Sequence, residues 1–267
     1  MGGPRRGATV ELDGHAVFYE MEGTGRPIVL LHGGLAANDG WAAQFAGFSP
    51  VRTVVAPERQ GHGHTPDRDG PLTYQGMAAE TAAFLRALDL APADLVGWSD
   101  GGMVGLLVAI EEPELVRTLT CYGSGFSSAG YVPGAVEDLV ARPADDEELA
   151  WMADAYRAVS PDGPEHFASV WEKIRTLWAE PFDWSDRLDR VAAPVLVLVG
   201  DDDFVTVSHA DEFARRLPDG RLAVLPGASH LVAVEQPELF NRIVLSFTDE
   251  PAVRTLEPIR RRPTASP

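Results

Sequence analysis

The run Gly97–Gly102, GWSDGG in one-letter code, constrains the fold of this chain more than any other segment. It follows the strand-like stretch Asp94–Val96 and precedes the helix-like stretch Met103–Ile110, so Ser99 is predicted at a sharp turn from a strand into a helix. Such a turn is tight, and the glycines two residues before and two residues after the serine meet its need for small side chains. The free N–H groups at the start of the helix would point toward negative charge. The segment therefore predicts an exposed serine hydroxyl beside an anion-favouring helix terminus.

Strand-like and helix-like segments alternate along the chain, and this alternation predicts the fold class. The Asp13–Gly14 dipeptide between the first two strands is a strong hairpin signal, and short continuous apolar runs are typical of strands buried on both faces. The predicted strands are Thr9–Leu12, Ala16–Tyr19, Pro27–Leu31, Thr53–Ala56, Leu95–Gly97, Leu119–Tyr122, Val195–Val199 and Leu222–Leu225. The predicted helices are Tyr74–Leu88, Gly102–Ile110, His209–Leu217 and Pro237–Phe247. We therefore expect an α/β fold: a mostly parallel eight-stranded sheet with helices on both faces and an antiparallel edge.

The segment 124–186 interrupts this alternation, because it contains no convincing strand and holds four of the six tryptophans. Its predicted helical stretches are Val136–Val140, Glu148–Val159 and Glu165–Trp178. We expect a helical insertion at 124–186 within a core formed by residues 8–123 and 187–248. Residues 249–267 are rich in proline and arginine, and we expect a disordered tail there.

The charge balance disfavours several classes of protein. The 267 residues include 22 basic and 40 acidic side chains, a formal net charge of -18. A nucleic-acid-binding face or a cationic membrane-surface helix needs clustered Lys and Arg, so we expect neither nucleic acid nor a membrane as partner. The single cysteine, Cys121, excludes an intramolecular disulfide. No apolar stretch is long enough to cross a bilayer and no secretory signal is recognised, so we expect a cytoplasmic protein. Its expected oligomeric state is a monomer or a homodimer.

Candidates for a base and an orienting acid lie after the late strands. A serine hydroxyl is a poor nucleophile at neutral pH and needs a base, which in turn needs an orienting carboxylate. Among seven histidines, His230 lies in a loop after the last predicted strand, where open parallel sheets place functional groups. The strand Val195–Val199 runs into Gly200 and the three acids Asp201–Asp203. Three carboxylates at the end of a buried strand would repel one another, which favours a function for one of them, and the local pattern does not say which.

Taken together, these motifs resemble those of the α/β-hydrolase superfamily over roughly residues 8–248. The resemblance rests on the serine turn, on His32–Gly34 after the third strand, and on the order Ser, Asp, His along the chain. In that family the acid lies three residues after the glycine that ends its strand. The resemblance therefore implies a catalytic triad of Ser99, Asp203 and His230, and it implies that the helical insertion is a cap.

The resemblance also implies an oxyanion hole and shows one departure from the family. The two donors would be the backbone N–H groups of Asp100 and Gly34, with Leu35 the nearest alternative to Gly34. Each donor would contribute roughly 10²–10³ in rate. Glu58 and Gln60 replace the usual Asp and Arg of the family pattern P-D-x-R-G-x-G. In the family this loop shapes the edge of the sheet, so the departure leaves the predicted triad unchanged.

These residues predict a serine hydrolase that cleaves a carboxylic ester-type bond of a small molecule through an acyl-enzyme, with no cofactor and no metal. The same triad serves lactonases, C–C bond hydrolases, perhydrolases and acyltransferases, so these alternatives stay open, as does a non-catalytic ligand-binding protein on the same scaffold. Aromatic and apolar residues near the serine and in the insertion are candidates for the substrate pocket. The predicted substrate-binding residues are Leu35, Trp98, Asp100, Phe126, Trp151, Trp171 and Trp178.

The charge beside the nucleophile bears on the substrate. The GWSDGG run resembles that of valacyclovir hydrolase-like esterases, in which the aspartate matching Asp100 receives the amino group of amino-acid esters. Residues 124–186 carry 13 acidic and 4 basic side chains, a net charge of -9 and half that of the chain. A negative rim would attract cations and repel anions. We therefore expect a neutral or cationic substrate.

Overall fold

All eight predicted strands are present in one sheet. The computed structural model describes residues 5–251 and residue 256. The strands are β1 Arg6–Leu12, β2 His15–Gly23, β3 Pro27–Leu31, β4 Thr53–Pro57, β5 Ala93–Trp98, β6 Val116–Tyr122, β7 Val195–Gly200 and β8 Gly220–Leu225. Their order across the sheet is β1-β2-β4-β3-β5-β6-β7-β8. The first two strands form the predicted hairpin, β2 pairs antiparallel with β4, and the other neighbouring pairs are parallel. The predicted fold class is confirmed.

Helices cover both faces of this sheet. Those of the described residues are α1 Ala42–Phe48, α2 Tyr74–Ala87, α3 Asp100–Glu111, α4 Ala135–Val140, α5 Ala150–Val159, α6 Phe167–Ala179, α7 Val207–Arg216, α8 Val232–Glu235 and α9 Pro237–Asp249. The sequence interpretation did not include α1, because two turns that contain Gly47 are too short to show a helical period. No helix of residues 5–251 has the length and apolar character that crossing a bilayer requires.

The core lies in two layers, one on each face of the sheet. Along β3, Ile28 and Leu30 enter the layer that contains residues of α1 and α9, whereas Val29 and Leu31 enter the layer with α2 and α3. All four side chains are buried. A strand whose two faces are both covered needs apolar residues at every position, which explains the continuous run predicted as a buried strand.

The segment 124–186, called the cap segment below, connects β6 to β7. It forms α4, α5 and α6 and contributes no strand to the sheet, although two isolated bridges involve Ser127 and Tyr131. Most of the predicted tail, residues 252–255 and 257–267, lies outside the described residues.

Asp67, in the loop after β4, ties the cap segment to the rest of the chain. Its carboxylate accepts from Lys173 Nζ at 2.7 and 2.8 Å and lies 2.9 Å from His166 Nε2, while its backbone N–H donates to Asp162. Burial raises the pKa of Asp67, but the hydrogen bonds from Lys173, His166 and Gln60 outweigh this effect and lower the pKa to about 2. The only lysine of the chain therefore holds the cap segment over the loop that follows β4.

Candidate active site

Ser99 lies at the turn between β5 and α3, in a backbone conformation that few side chains adopt. Its φ is +53°, in the left-handed region. A Cβ atom on Gly97 would overlap the carbonyl of Gly101, and a Cβ on Gly101 would overlap the carbonyl of Leu31. Only glycine fits at both flanking positions, as the sequence predicted, and the tight packing of the turn maintains the strained conformation of Ser99.

His230 and Asp203 meet at the carboxyl edge of the sheet. Asp203 follows the end of β7, and His230 lies in the loop between β8 and α8. His230 Nδ1 lies 2.9 Å from Asp203 Oδ1, and the side chain of Asp203 is fully buried. Because a carboxylate accepts, Nδ1 carries the proton and Nε2 is left as the basic nitrogen.

Several groups fix the position of His230. Its backbone carbonyl accepts from Tyr122 Oη at 2.7 Å and from Trp98 Nε1 at 3.0 Å, and the Phe204 ring lies 4.1 Å from its own. Gly123, at φ +56°, leaves room for the pair: a Cβ there would lie 2.8 Å from His230 Nδ1 and 3.2 Å from the second carboxylate oxygen of Asp203. The pair is therefore closely packed from several sides.

Ser99 and His230 line the same cavity. Within residues 5–251, neither Ser99 Oγ nor His230 Nε2 forms a hydrogen bond with another residue. Both atoms are thus available to a substrate, and catalytic hydrogen bonds often shorten only when substrate is bound.

The loop Gly33–Leu35 packs against Ser99. A Cβ on Gly33 would lie 3.4 Å from Ser99 Cβ. The N–H of Leu35 donates to His62 Nε2 at 3.1 Å and is therefore engaged within the protein. The N–H groups of Gly34 and Asp100 donate to no other group of the described residues. Of the three predicted oxyanion donors, Leu35 has its N–H engaged, whereas Gly34 and Asp100 have theirs unengaged within the described residues.

The carboxylate of Asp100 is buried against two donors. Tyr74 Oη donates to Oδ1 at 2.9 Å, and Trp178 Nε1 lies 3.0 and 3.1 Å from the two oxygens. Burial raises the pKa of Asp100, while the nearby Arg59 charge and these two hydrogen bonds act in the opposite direction. Since Trp178 belongs to α6, Asp100 is hydrogen-bonded directly to the cap segment.

The three acids after β7 have different surroundings. Asp201 is exposed, and its carboxylate accepts from the N–H groups of Gly227 and Ala228 in the loop that follows β8. Asp202 is exposed to solvent, and only Asp203 faces the histidine. Solvent and backbone donors thus offset the expected repulsion.

The cavity beside Ser99 has a volume of about 270 Å³ and a mainly apolar wall. Four residues for which the sequence predicts substrate binding line this wall: Trp98, Asp100, Trp151 and Trp178. Their role in binding stays a prediction. The wall also contains residues that the sequence interpretation did not select: Tyr74, Met103, Tyr131, Val136, Leu139, Met152, Phe182, Phe204 and Leu231. Two of these, Phe204 and Leu231, directly follow triad candidates, which is the one local signal that could have identified them.

Phe126 and Trp171 do not reach this cavity. The Phe126 ring stacks on His209 at 4.3 Å between ring centroids and contacts Phe213. Trp171 is buried, with its indole N–H donating to the carbonyl of Arg142. Both rings pack the interior of the protein. Leu35 lies in the wall of a second cavity, described below.

The comparisons with known proteins agree with this fold. A family model described as the alpha/beta hydrolase family matches residues 28–243, and the chain belongs to that family. It is 32% identical over 250 residues to the 2-hydroxy-6-oxo-2,4-heptadienoate hydrolase of Pseudomonas putida, covering 84% of this chain and 90% of that protein. It is 28% identical over 254 residues to the human serine hydrolase BPHL, covering 90% and 85%.

Among solved structures, a serine hydrolase involved in carbazole degradation, the CarC enzyme, superposes with a TM-score of 0.77 at 25% identity, over 92% of this chain and 99% of the other. These relatives are hydrolases, which supports α/β-hydrolase activity for this chain.

Proposed function

We propose that this protein is a serine hydrolase that cleaves a carboxylic ester-type bond of a small molecule through an acyl-enzyme on Ser99. One observation carries the proposal: the strained Ser99 shares a cavity with His230, whose Nδ1 is hydrogen-bonded to the buried carboxylate of Asp203. A nucleophile, a base and an orienting acid are the minimum for this chemistry.

The reaction proceeds in two stages. Ser99 Oγ attacks the carbonyl carbon while His230 Nε2 takes the hydroxyl proton, and Asp203 stabilises the resulting imidazolium. Collapse of the tetrahedral intermediate breaks the bond to the leaving alcohol, which receives that proton from His230. Water then attacks the acyl-enzyme by the same steps, releasing the carboxylic acid and restoring Ser99. The N–H groups of Gly34 and Asp100 stabilise the oxyanion in both stages.

The shape of the site favours an apolar substrate with two parts. The cavity at Ser99 is small, and a second cavity of about 440 Å³ adjoins it. Trp98, Trp151 and Leu231 line both. Trp98 and Leu231 each neighbour a triad candidate, so a carbonyl held at Ser99 would allow the rest of the substrate to extend past them.

The charge at the site favours a neutral or cationic substrate. The buried carboxylate of Asp100 lies beside Gly34, so an anionic group there would be repelled. Tyr74 and Trp178 already donate to it, which offsets its need for a cationic partner. We therefore place a neutral acyl ester first and an α-amino ester second. Equal kcat/KM for the two esters, unchanged in Asp100→Asn, would exclude amine recognition at this residue.

The test is a panel of p-nitrophenyl esters, lactones, amides and C–C bond substrates, assayed with the wild-type protein and with Ser99→Ala. Ser49→Ala, a serine remote from the site, is the matched control. We expect ester turnover that Ser99→Ala abolishes and Ser49→Ala retains. Near-wild-type ester turnover in Ser99→Ala would refute the proposal, and a strong preference for another substrate in the panel would reassign the reaction to one of the alternative chemistries.

A further inference from the structure

Three hydrogen bonds with buried side chains fix the loop that bears the proposed oxyanion donor, at the carbonyl of Gly33 and at the N–H of Leu35. His32 Nε2 accepts from the backbone N–H of Arg59 at 3.0 Å, so the proton of the neutral ring lies on Nδ1, which donates to the carbonyl of Gly33 at 2.7 Å. Arg59 Nη2 donates to the same carbonyl at 3.2 Å. Two residues after Gly33, the N–H of Leu35 donates to His62 Nε2. The N–H of Gly34 lies between these two fixed points.

His32 and His62 are suited to this role because they stay neutral. Burial, together with the Arg59 charge, lowers the pKa of His32 well below its usual value and that of His62 to about 3. Each ring then has one donor and one acceptor nitrogen, and each nitrogen is engaged with the backbone. The two rings lie 4.9 Å apart between centroids. Together they form a rigid support beneath the loop.

Arg59, which also contacts this loop, carries a buried charge that lowers the stability of the fold. It is 2% exposed, and burial lowers its pKa to about 10, so the guanidinium is still charged at neutral pH. Asp100 and Glu80 attract it electrostatically, but no carboxylate of the described residues forms an ion pair with it. Its Nε and Nη1 have no hydrogen-bond partner among residues 5–251. A buried, incompletely paired charge destabilises a fold, so its position calls for a functional reason.

We propose that Arg59 is a positioning residue for the oxyanion hole and acts through the Gly33–Gly34 peptide. The carbonyl that Arg59 contacts and the Gly34 N–H belong to the same peptide group. A hydrogen bond to that carbonyl fixes the plane of the peptide and polarises it, which makes the N–H at its other end a stronger donor. The positive charge also opposes the carboxylate of Asp100, which would otherwise disfavour a developing oxyanion. This inference rests on the proposed serine hydrolase function.

The test compares Arg59→Met, Arg59→Lys and Arg52→Met. Arg52 is the control, because it too is a buried arginine with an unpartnered Nε. Unlike Arg59 it is ion-paired, with Asp249, and it lies just before β4, at the amino edge of the sheet. We expect Arg59→Met to lower kcat about 10- to 100-fold, which is no more than the decrease in kcat caused by removing an oxyanion donor itself. KM should change less than about 3-fold. Arg59→Lys should recover part of the loss, and Arg52→Met should keep wild-type kcat.

A transition-state analogue separates positioning from a general loss of stability. An alkyl boronic acid forms a tetrahedral adduct with Ser99 and places an oxygen in the oxyanion hole, whereas an ether analogue of the ester does not. Across the Arg59 variants, the boronate inhibition constant should rise by the same factor as kcat/KM falls, while ether binding stays constant.

Wild-type kcat in Arg59→Met, or parallel losses of boronate and ether binding, would overturn the inference. If Arg59→Met does not fold, Arg59→Lys decides, since a folded variant with unchanged boronate affinity also overturns it. Full turnover in Ser99→Ala would instead refute the proposed function itself.

Discussion

Gly123→Ala offers a direct test of how tightly His230 is packed. The new methyl carbon would lie 2.8 Å from His230 Nδ1, whereas ordinary van der Waals contact begins near 3.4 Å. The imidazole must therefore move by about 0.6 Å or more. Phe204 and the hydrogen-bonded backbone carbonyl of His230 limit the directions in which it can move.

Two effects of this substitution have to be separated. An alanine in the left-handed region costs about 1–2 kcal/mol of stability wherever it occurs. Displacement of a catalytic group by about 1 Å costs roughly 10²-fold in rate, so the smaller shift here is expected to lower kcat about 10- to 100-fold. Gly14→Ala is the matched control, because Gly14 has φ +84° and no atom lies within 4 Å of its Cβ position.

The assay is kcat for a p-nitrophenyl ester together with thermal unfolding of both variants. We expect Gly14→Ala to lose only the stability that the left-handed backbone costs, Gly123→Ala to lose that and more because of the overlap with His230, and kcat to fall in Gly123→Ala alone. Equal kcat values in the two variants would refute the argument that Gly123 is needed for the placement of His230.

Three further predictions concern the cap segment and its contacts. The pKa of Asp67 is lowered to about 2, so its stabilisation is complete above its unfolded value of 3.8 and is lost as pH falls through the folded value. Asp67→Asn should therefore reduce the free energy of unfolding by about 2 kcal/mol at pH 7, and chemical denaturation at pH 2 should show most of this difference gone. Trp178→Phe removes a donor to Asp100 and should lower the free energy of unfolding by about 1–3 kcal/mol and also lower kcat/KM. Trp171→Phe should lower the free energy of unfolding alone, and equal kcat/KM in the two variants would contradict a role of Trp178 in supporting Asp100. Trp151 is 59% exposed where the two cavities meet, so Trp151→Ala should raise KM for esters of large alcohols without changing the melting temperature; an unchanged KM excludes it from binding.

The sheet and the turn at Ser99 were predictable because their physical requirements are local. A strand covered on both faces must be apolar throughout, and the strained turn admits only glycine at 97 and 101. The short helix Ala42–Phe48 has too few turns for a periodic signal. Its place in the core depends on contacts with α9, which the sequence does not reveal.

The residues around the site were predictable only in part. Trp171 and Trp178 lie seven residues apart on one helix and therefore on the same face, so the sequence could not distinguish their roles. In the structure Trp178 donates to Asp100, whereas Trp171 donates to the backbone carbonyl of Arg142. Local sequence likewise gave no reason to separate Asp201 from Asp203, since the distinction arises from a histidine 27 residues later. Arg59 lies in a loop whose pattern departs from the family, and its contact with Gly33 is visible only in the folded chain.

Covalent labelling shows whether Ser99 is an activated nucleophile. The wild-type protein and the variants Ser99→Ala and His230→Ala are incubated with an alkyl fluorophosphonate, and intact mass and peptide mass are measured. We expect one stoichiometric adduct on the peptide that contains Ser99, no adduct in Ser99→Ala, and labelling slowed by orders of magnitude in His230→Ala. An unlabelled wild-type protein, or equally fast labelling in His230→Ala, would contradict this role of Ser99.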